Sequence, residues 1–217
     1  MCTNFRPVAP KRLTDAFEVI PPDEDWVEEV YPSYAAPIIR LSQASAHSRE
    51  CLAASFGLIP AWASDRHIGR HTYNARTETV GEKPSFRHAW HKRQFCLVPM
   101  QCFYEPGYHS GRAQRWRLQQ RDGNSFAAAG IWDRWRRDGQ DLLSFSLLTI
   151  NADGHPLMGQ FHRPNDEKRA LVVVPPAQYD AWLQADSETA RSFLSLMPLA
   201  SFEAEAAPLQ PQTLSLF

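Results

Sequence analysis

The sequence predicts an α+β fold: one domain over residues 1–217, dominated by antiparallel β-sheet curled into an open barrel, with short helices at its periphery. Three observations predict it. Short apolar, β-branched runs recur along the chain, two of the turns between them are Asp-Gly pairs, and no repeat, low-complexity tract or linker divides the 217 residues.

Taken in order, Pro7 and Pro10 deny an early helix, so the first one is expected over residues 13–17, capped at Thr14 or Asp15. The prolines of residues 31–37 push their predecessors out of the α region, and that extended segment leads into a strand at 38–41. Residues 52–56 are an apolar run ended by Gly57 and Pro60, whereas residues 72–80 are polar without clear periodicity. A buried strand is expected at 95–99, followed by Phe103-Tyr104-Glu105-Pro106. Segments 116–120 and 126–132 flank Asp122-Gly123, a hairpin signal because that pair accepts positive φ, and Asp138-Gly139 repeats the signal ahead of a strand at 142–150. Residues 170–174 read as the last strand. Pro175-Pro176 then opens a helix reaching residue 183, and a final helix at 188–196 precedes the tail.

A hydrophobic content of 43% with 22% charged residues is ordinary for a soluble globular chain. No apolar stretch is long enough to span a bilayer and no secretory signal is visible, so no membrane partner is expected and the cytosol is the expected compartment. Cys2, Cys51, Cys96 and Cys102 show no C-x-x-C spacing, which suits a reducing environment. The net charge of −1 argues against binding nucleic acid with the whole surface. Its distribution is uneven: residues 13–39 hold seven acids and no Lys or Arg, whereas residues 64–93 hold seven bases, three acids and four histidines. His67 and His71, like His88 and His91, have helix-face spacing but no Cys or carboxylate partner at a recognised distance, so no metal site and no cofactor are expected.

The chemistry-bearing residue is Cys2. Removal of Met1 leaves an amino-terminal cysteine, a 1,2-aminothiol whose amine and thiol ordinarily titrate near pH 8 and 8.5. Its natural electrophile is an aldehyde, which the amine converts to an imine and the thiol closes to a five-membered thiazolidine. That sequence needs a proton shuttle, a donor that fixes the sugar and a cation for phosphate. Glu105, ending an apolar run, suits the shuttle. Asn74 and Arg76 project from one face of an extended segment, and Arg76 suits phosphate. His162 lies in Phe161-His162-Arg163-Pro164, outside any apolar periodic element.

Read as a set, these residues resemble the SOS response-associated peptidase (SRAP) family of abasic-site processing proteins. The matching pieces are Met1-Cys2, Phe56-Gly57-Leu58-Ile59-Pro60-Ala61-Trp62, Asn74-Ala75-Arg76-Thr77-Glu78-Thr79, Cys96-Leu97-Val98-Pro99 running into Phe103-Tyr104-Glu105, Ala129-Gly130-Ile131-Trp132, and His162 ahead of Leu171-Val172-Val173. They cover about residues 2–183, leaving 184–217 as a helix and tail. The resemblance implies an enzyme of the DNA-damage response, a monomer that captures abasic sites in single-stranded DNA as a covalent thiazolidine through Cys2. It also implies peptidase-type self-processing, with lyase activity as a further possibility. Asn74, Glu105 and His162 would line the reactive centre. Arg76 and Arg163 would hold DNA, and Trp62 would stack on an exposed base.

The chain departs from the family pattern in several places. Thr3 and Asn4 replace the Gly-Arg that often follows the cysteine, which removes a phosphate contact and leaves Arg6 as the nearest substitute. The common His-Asp-Arg-Met-Pro becomes the longer segment from His162 to Arg169. A cysteine peptidase acting mainly on a peptide bond, and a non-covalent single-strand binding module using Trp62 and the basic segment, remain the alternative readings.

Overall fold

The computed structural model describes residues 2–44, 48–108 and 110–209; Met1 and the end of the expected tail lie outside them. Eleven strands form one mixed sheet: β1 Asn4–Pro7, β2 Ala35–Leu41, β3 Arg49–Phe56, β4 Asn74–Arg76, β5 Phe95–Gly107, β6 Gln114–Gln120, β7 Phe126–Arg137, β8 Gln140–Asn151, β9 Arg169–Leu171, β10 Val173–Val174 and β11 Phe202–Ala206. The helices are short: α1 Pro10–Phe17, α2 Arg87–His91 and α3 Tyr179–Gln184. The α+β reading and the antiparallel bias hold; only β3 and β4 pair parallel, both with β8.

β5 is the spine. Its Phe103 pairs with Phe5 of β1 and Leu118 of β6, and its Met100 pairs with Pro7 of β1 and Phe126 of β7. β1 therefore follows one edge of β5, while β6 and β7 lie end to end along the other. This corrects the hairpin expected at Asp122-Gly123. The turn forms, with Gly123 at φ 71 and its N–H on the Gln120 carbonyl, yet the flanking strands pair with β5 rather than with each other. A strand of 13 residues offers both of them an edge, so the turn becomes a short excursion between two stretches of one ladder. At Asp138-Gly139 the hairpin does form: both residues have positive φ, and Arg137 pairs with Gln140.

The barrel expectation needs the same kind of correction. The pairing of β5 with β7 closes the path β7-β8-β3-β2-β5 into a ring, but that ring is not a barrel. β2 meets β5 at one pair, Ile39 with Leu97, and β3 meets β8 at two. The sheet is also buried on both faces. Cys96, Val98 and Met100 enter one apolar cluster with Cys2, Phe5, Phe56 and Phe161, while Phe95 and Leu97 enter another with Trp90 and Trp182. Period-2 alternation along β5 divides the clusters, and α2 and α3 contribute to the second.

Local differences have equally local causes. The first helix begins at Pro10, because proline at the first position loses no intrahelical hydrogen bond, and Ala9 rather than Thr14 or Asp15 is its N-cap. The strand expected at 170–174 splits at Val172, whose N–H donates to Leu148 on β8 and whose carbonyl accepts from Ala129 on β7. A 3-10 turn Pro176–Gln178 leads into α3, the last helix shrinks to a 3-10 turn at Thr189–Phe193, and the region expected as tail supplies β11, paired with β6.

Candidate functional site

The amino-terminal strand carries Cys2 into the interior. From Asn4 onward β1 is laddered to β5, with Asn4 opposite Tyr104, so the residues ahead of it run beside Glu105. Cys2 is 1% exposed, and its thiol donates to the Asn4 carbonyl at 3.4 Å. Burial, and then the Glu105 carboxylate, push that thiol well above its ordinary range, so at neutral pH it keeps its proton.

β4 supplies the second contact. Asn74 pairs with Leu147 of β8, and its side-chain amide donates to the Cys2 carbonyl at 2.8 Å. Ala75 turns into the core beneath, leaving Asn74 and Arg76 on the opposite face. The Asn74 side-chain carbonyl is buried without a hydrogen-bond partner among the described residues. A buried acceptor without a donor is costly, so this oxygen is placed to receive one from a bound molecule or from the cysteine amine.

Glu105 and His162 form the third part. Both are buried, and His162 Nε2 lies 3.0 Å from Glu105 Oε2, within hydrogen-bond reach. Sequence separation is overcome by backbone: the His162 N–H donates to the Pro106 carbonyl at 2.8 Å, and Phe161 bridges to Gly107. These two bonds hold His162 at φ 65, a left-handed conformation that costs a non-glycine residue roughly 1–3 kcal/mol. Tyr73 joins the group, although the sequence reading did not single it out. Burial first, and then the electrostatic influence of neighbouring Cys2 and Glu105, push its phenol up, so it stays a proton donor beside both.

The expected DNA contacts sit apart from this cluster. Arg76 is 53% exposed at its side chain and ion-paired to Glu167 at 2.9 Å. Glu167 also accepts from Arg169 at 2.8 Å, and Arg169, buried, is bidentate on Glu78 at 2.9 and 2.8 Å. Burial works against ionising Glu78, but its bonds to Arg169 win and hold its carboxyl down at about 2. Glu167 lies in the segment that lengthens the family motif, and nothing in the sequence marks it as the carboxylate that meets Arg76. Arg163 is exposed, and its pKa is raised by its hydrogen bond to the Tyr108 hydroxyl. Trp62 is 58% exposed and anchored by an indole N–H to the Pro84 carbonyl at 3.2 Å. Arg6, the nearest candidate for the missing phosphate contact, is ion-paired to Glu28 at 2.7 Å, while Asn4 turns inward to Glu29, which Arg115 also holds. A cleft of about 670 Å³ between β3 and β8 is not lined by any residue of the Cys2 cluster.

Several known proteins are similar to this chain. "Abasic site processing protein YoqW" of Bacillus subtilis (strain 168) is 36% identical over 130 residues, which is 59% of this chain and 54% of that protein. "Abasic site processing protein YobE" of the same organism is also 36% identical over 130 residues, 59% of this chain and 56% of its own length. The match thus spans about half the length of these curated relatives. A crystal structure of a protein from Bordetella bronchiseptica superposes with a TM-score of 0.89 at 32% identity, covering 96% of this chain and 100% of that one. The family described as "SOS response associated peptidase (SRAP)" matches residues 1–213, well beyond residue 183, and the chain belongs to that family.

Proposed function

We propose that this protein captures abasic sites in single-stranded DNA as a covalent thiazolidine through Cys2, once Met1 has been removed. The observation that carries the reading is the convergence of Cys2, Asn74 and the Glu105–His162 pair, four residues far apart in the chain. The names of the curated relatives support abasic DNA as the substrate class.

The step balances as follows. The Cys2 amine adds to the aldehyde carbon of the ring-opened sugar, giving a carbinolamine. Glu105 delivers a proton to its hydroxyl, which leaves as water, and the imine forms. The Cys2 sulfur then adds to the imine carbon while the thiol proton passes to the nitrogen, closing the ring with net loss of one water. Asn74 holds the Cys2 carbonyl, which fixes the amine and thiol on the same side of the incoming carbon. His162, bonded to Glu105, is placed to return the shuttle's proton and to assist opening of the sugar hemiacetal. An abasic sugar carries no base, so selection rests on the aldehyde and the backbone rather than on base readout.

Incubation with an abasic single-stranded oligonucleotide tests the reading. A heat-stable adduct is expected, with a mass equal to the Met1-less protein plus oligonucleotide minus one water. Salt-reversible binding without an adduct would refute it in favour of a non-covalent binding module.

A further inference from the structure

We infer that the cleft between β3 and β8 is a second phosphate-binding tract, taking the backbone of the single strand that flanks the reactive centre. The inference rests on the proposed function for its ligand class, but its observations lie elsewhere in the molecule.

β3 and β8 pair at Ser55 with Ser144 and at Phe56 with Phe145; before those pairs the strands part, and Ala53 and Ser55 face Leu142 and Leu143 across the gap. The 3-10 turn Arg66–His71 closes one side and sets Arg66, His67 and Arg70 on the lining, with Arg134 of β7 nearby. Two carboxylates also line it, Glu24 and Asp141, and Asp141 is already held by Arg134 at 2.6 Å and Arg136 at 3.0 Å. Arg66 and Arg70 are exposed, and neither side chain makes a hydrogen bond or ion pair among the described residues.

The turn that presents them is rigidly built. Asp65 caps it by accepting from the His67 N–H at 2.7 Å, and Thr72 Oγ1 ties its end to the Leu58 carbonyl at 2.6 Å. Gly57, at φ 113, packs so closely under Gly69 that a Cβ there would lie 2.0 Å from the Gly69 oxygen. Two free guanidinium groups on a fixed turn are a pre-organised anion receptor, since little side-chain freedom beyond their own is lost on binding. His67 is also a wall of a smaller hollow of about 270 Å³ whose lining includes Trp62, Ile68 and His71. The exposed Trp62 ring therefore opens onto the same tract, and cations beside an accessible aromatic suit a strand whose bases are unstacked. Distance permits continuity: Leu143 lies four residues along β8 from Leu147, the partner of Asn74, or about 13 Å at the rise of a strand.

The test is the Arg66→Ala/Arg70→Ala double variant, whose exposed sites should leave thermal stability unchanged. Fluorescence anisotropy is read with undamaged single-stranded oligonucleotides of about 6 and about 20 nucleotides. The double variant is expected to lose affinity for the longer one and to flatten its log K against log salt slope by about 1.4, two phosphates at roughly 0.7 each, while binding of the shorter one is unchanged. No change with the longer strand, or equal loss on both lengths, overturns the tract. A loss that appears only when the flank is made duplex overturns the single-strand assignment. Because these oligonucleotides carry no aldehyde, the outcome is independent of adduct formation. A wild-type protein that shows the length effect but forms no adduct would sink the capture reading and leave the tract standing.

Discussion

Glu167→Gln should strengthen DNA binding, which is the opposite of what loss of a site carboxylate usually does. In the free protein the Arg76 guanidinium is 2.9 Å from the Glu167 carboxylate, so a phosphate must displace an anion already in place. Two unit charges at that distance attract by about 1.4 kcal/mol in bulk water, and measured exposed pairs retain about 0.2–1 kcal/mol. With side-chain exposures of 53% and 33% the lower part of that range applies. Removing the competitor should raise affinity about 2-fold, and at most about 5-fold at 1 kcal/mol. The salt slope should steepen by up to about 0.7, because Arg76 then releases a counterion from the strand without stranding a carboxylate. Glutamine keeps an oxygen for Arg169, and Arg169 keeps its bidentate bond to Glu78, so the fold is preserved. Anisotropy with a single-stranded oligonucleotide across a salt series provides the readout. Unchanged affinity and slope in Glu167→Gln, in a protein whose Arg76→Ala variant does lose affinity, would refute the reasoning.

Cys2→Ala should abolish the heat-stable adduct with little change in melting temperature, and Cys2→Ser should leave at best a borohydride-reducible imine; an undiminished adduct from Cys2→Ala would overturn the assignment. Glu105→Gln should slow crosslinking by roughly 10²-fold, the usual scale for losing a general acid-base group. The same variant removes an anion that disfavours the Cys2 thiolate, so the Cys2 pKa falls and alkylation of Cys2 in the Met1-less protein at pH 8 should speed up; slower alkylation would show that the sign is wrong. His162→Ala should slow capture of a natural abasic site but barely affect a permanently open-chain aldehyde, and equal slowing on both would place His162 at the same proton transfer as Glu105. Arg169→Ala should cost about 1–3 kcal/mol in denaturant unfolding, because it removes the buried guanidinium that binds Glu78 and Glu167, although Glu78 stays 45% exposed and Glu167 keeps Arg76; a cost below about 0.5 kcal/mol would mean that the network contributes no net stability.

The parts of the site that were legible in the sequence lie in compact motifs. Asn74 and Arg76 alternate within one short strand, and Glu105 sits on β5 itself, so local pattern places each of them. Tyr73 and Glu167 were not legible, because each takes its role from residues that reach it only through the fold: Tyr73 from Cys2 and Glu105, Glu167 from Arg76. The same distinction separates the two Asp-Gly turns. Each contains a glycine at positive φ, joined at 138–139 by Asp138, but pairing across the turn depends on which edge each strand finds. At 138–139 the neighbours find each other, and at 122–123 the longer edge of β5 takes both. The antiparallel pairing of the sheet is legible in the strand patterns, whereas the open barrel expected from them does not form. The apolar run at 95–99 does signal a buried strand; what it cannot show is which elements cover its faces, since the covering helices are too short to show a strong period.

The burial of Cys2 has a consequence for fidelity. In an unfolded chain the thiol would ionise in its ordinary range near 8.5 and meet any dissolved aldehyde. In the folded chain it is protonated and enclosed, and under the proposed function it would become a competent nucleophile only beside a proton shuttle assembled from residues 105 and 162. On that reading, reactivity toward stray small aldehydes would track the unfolded population, whereas reactivity toward DNA would track the native one. Under the proposed function the nucleophile is spent once it reacts, and the sheet that encloses Cys2 would then also preserve it until an abasic strand arrives.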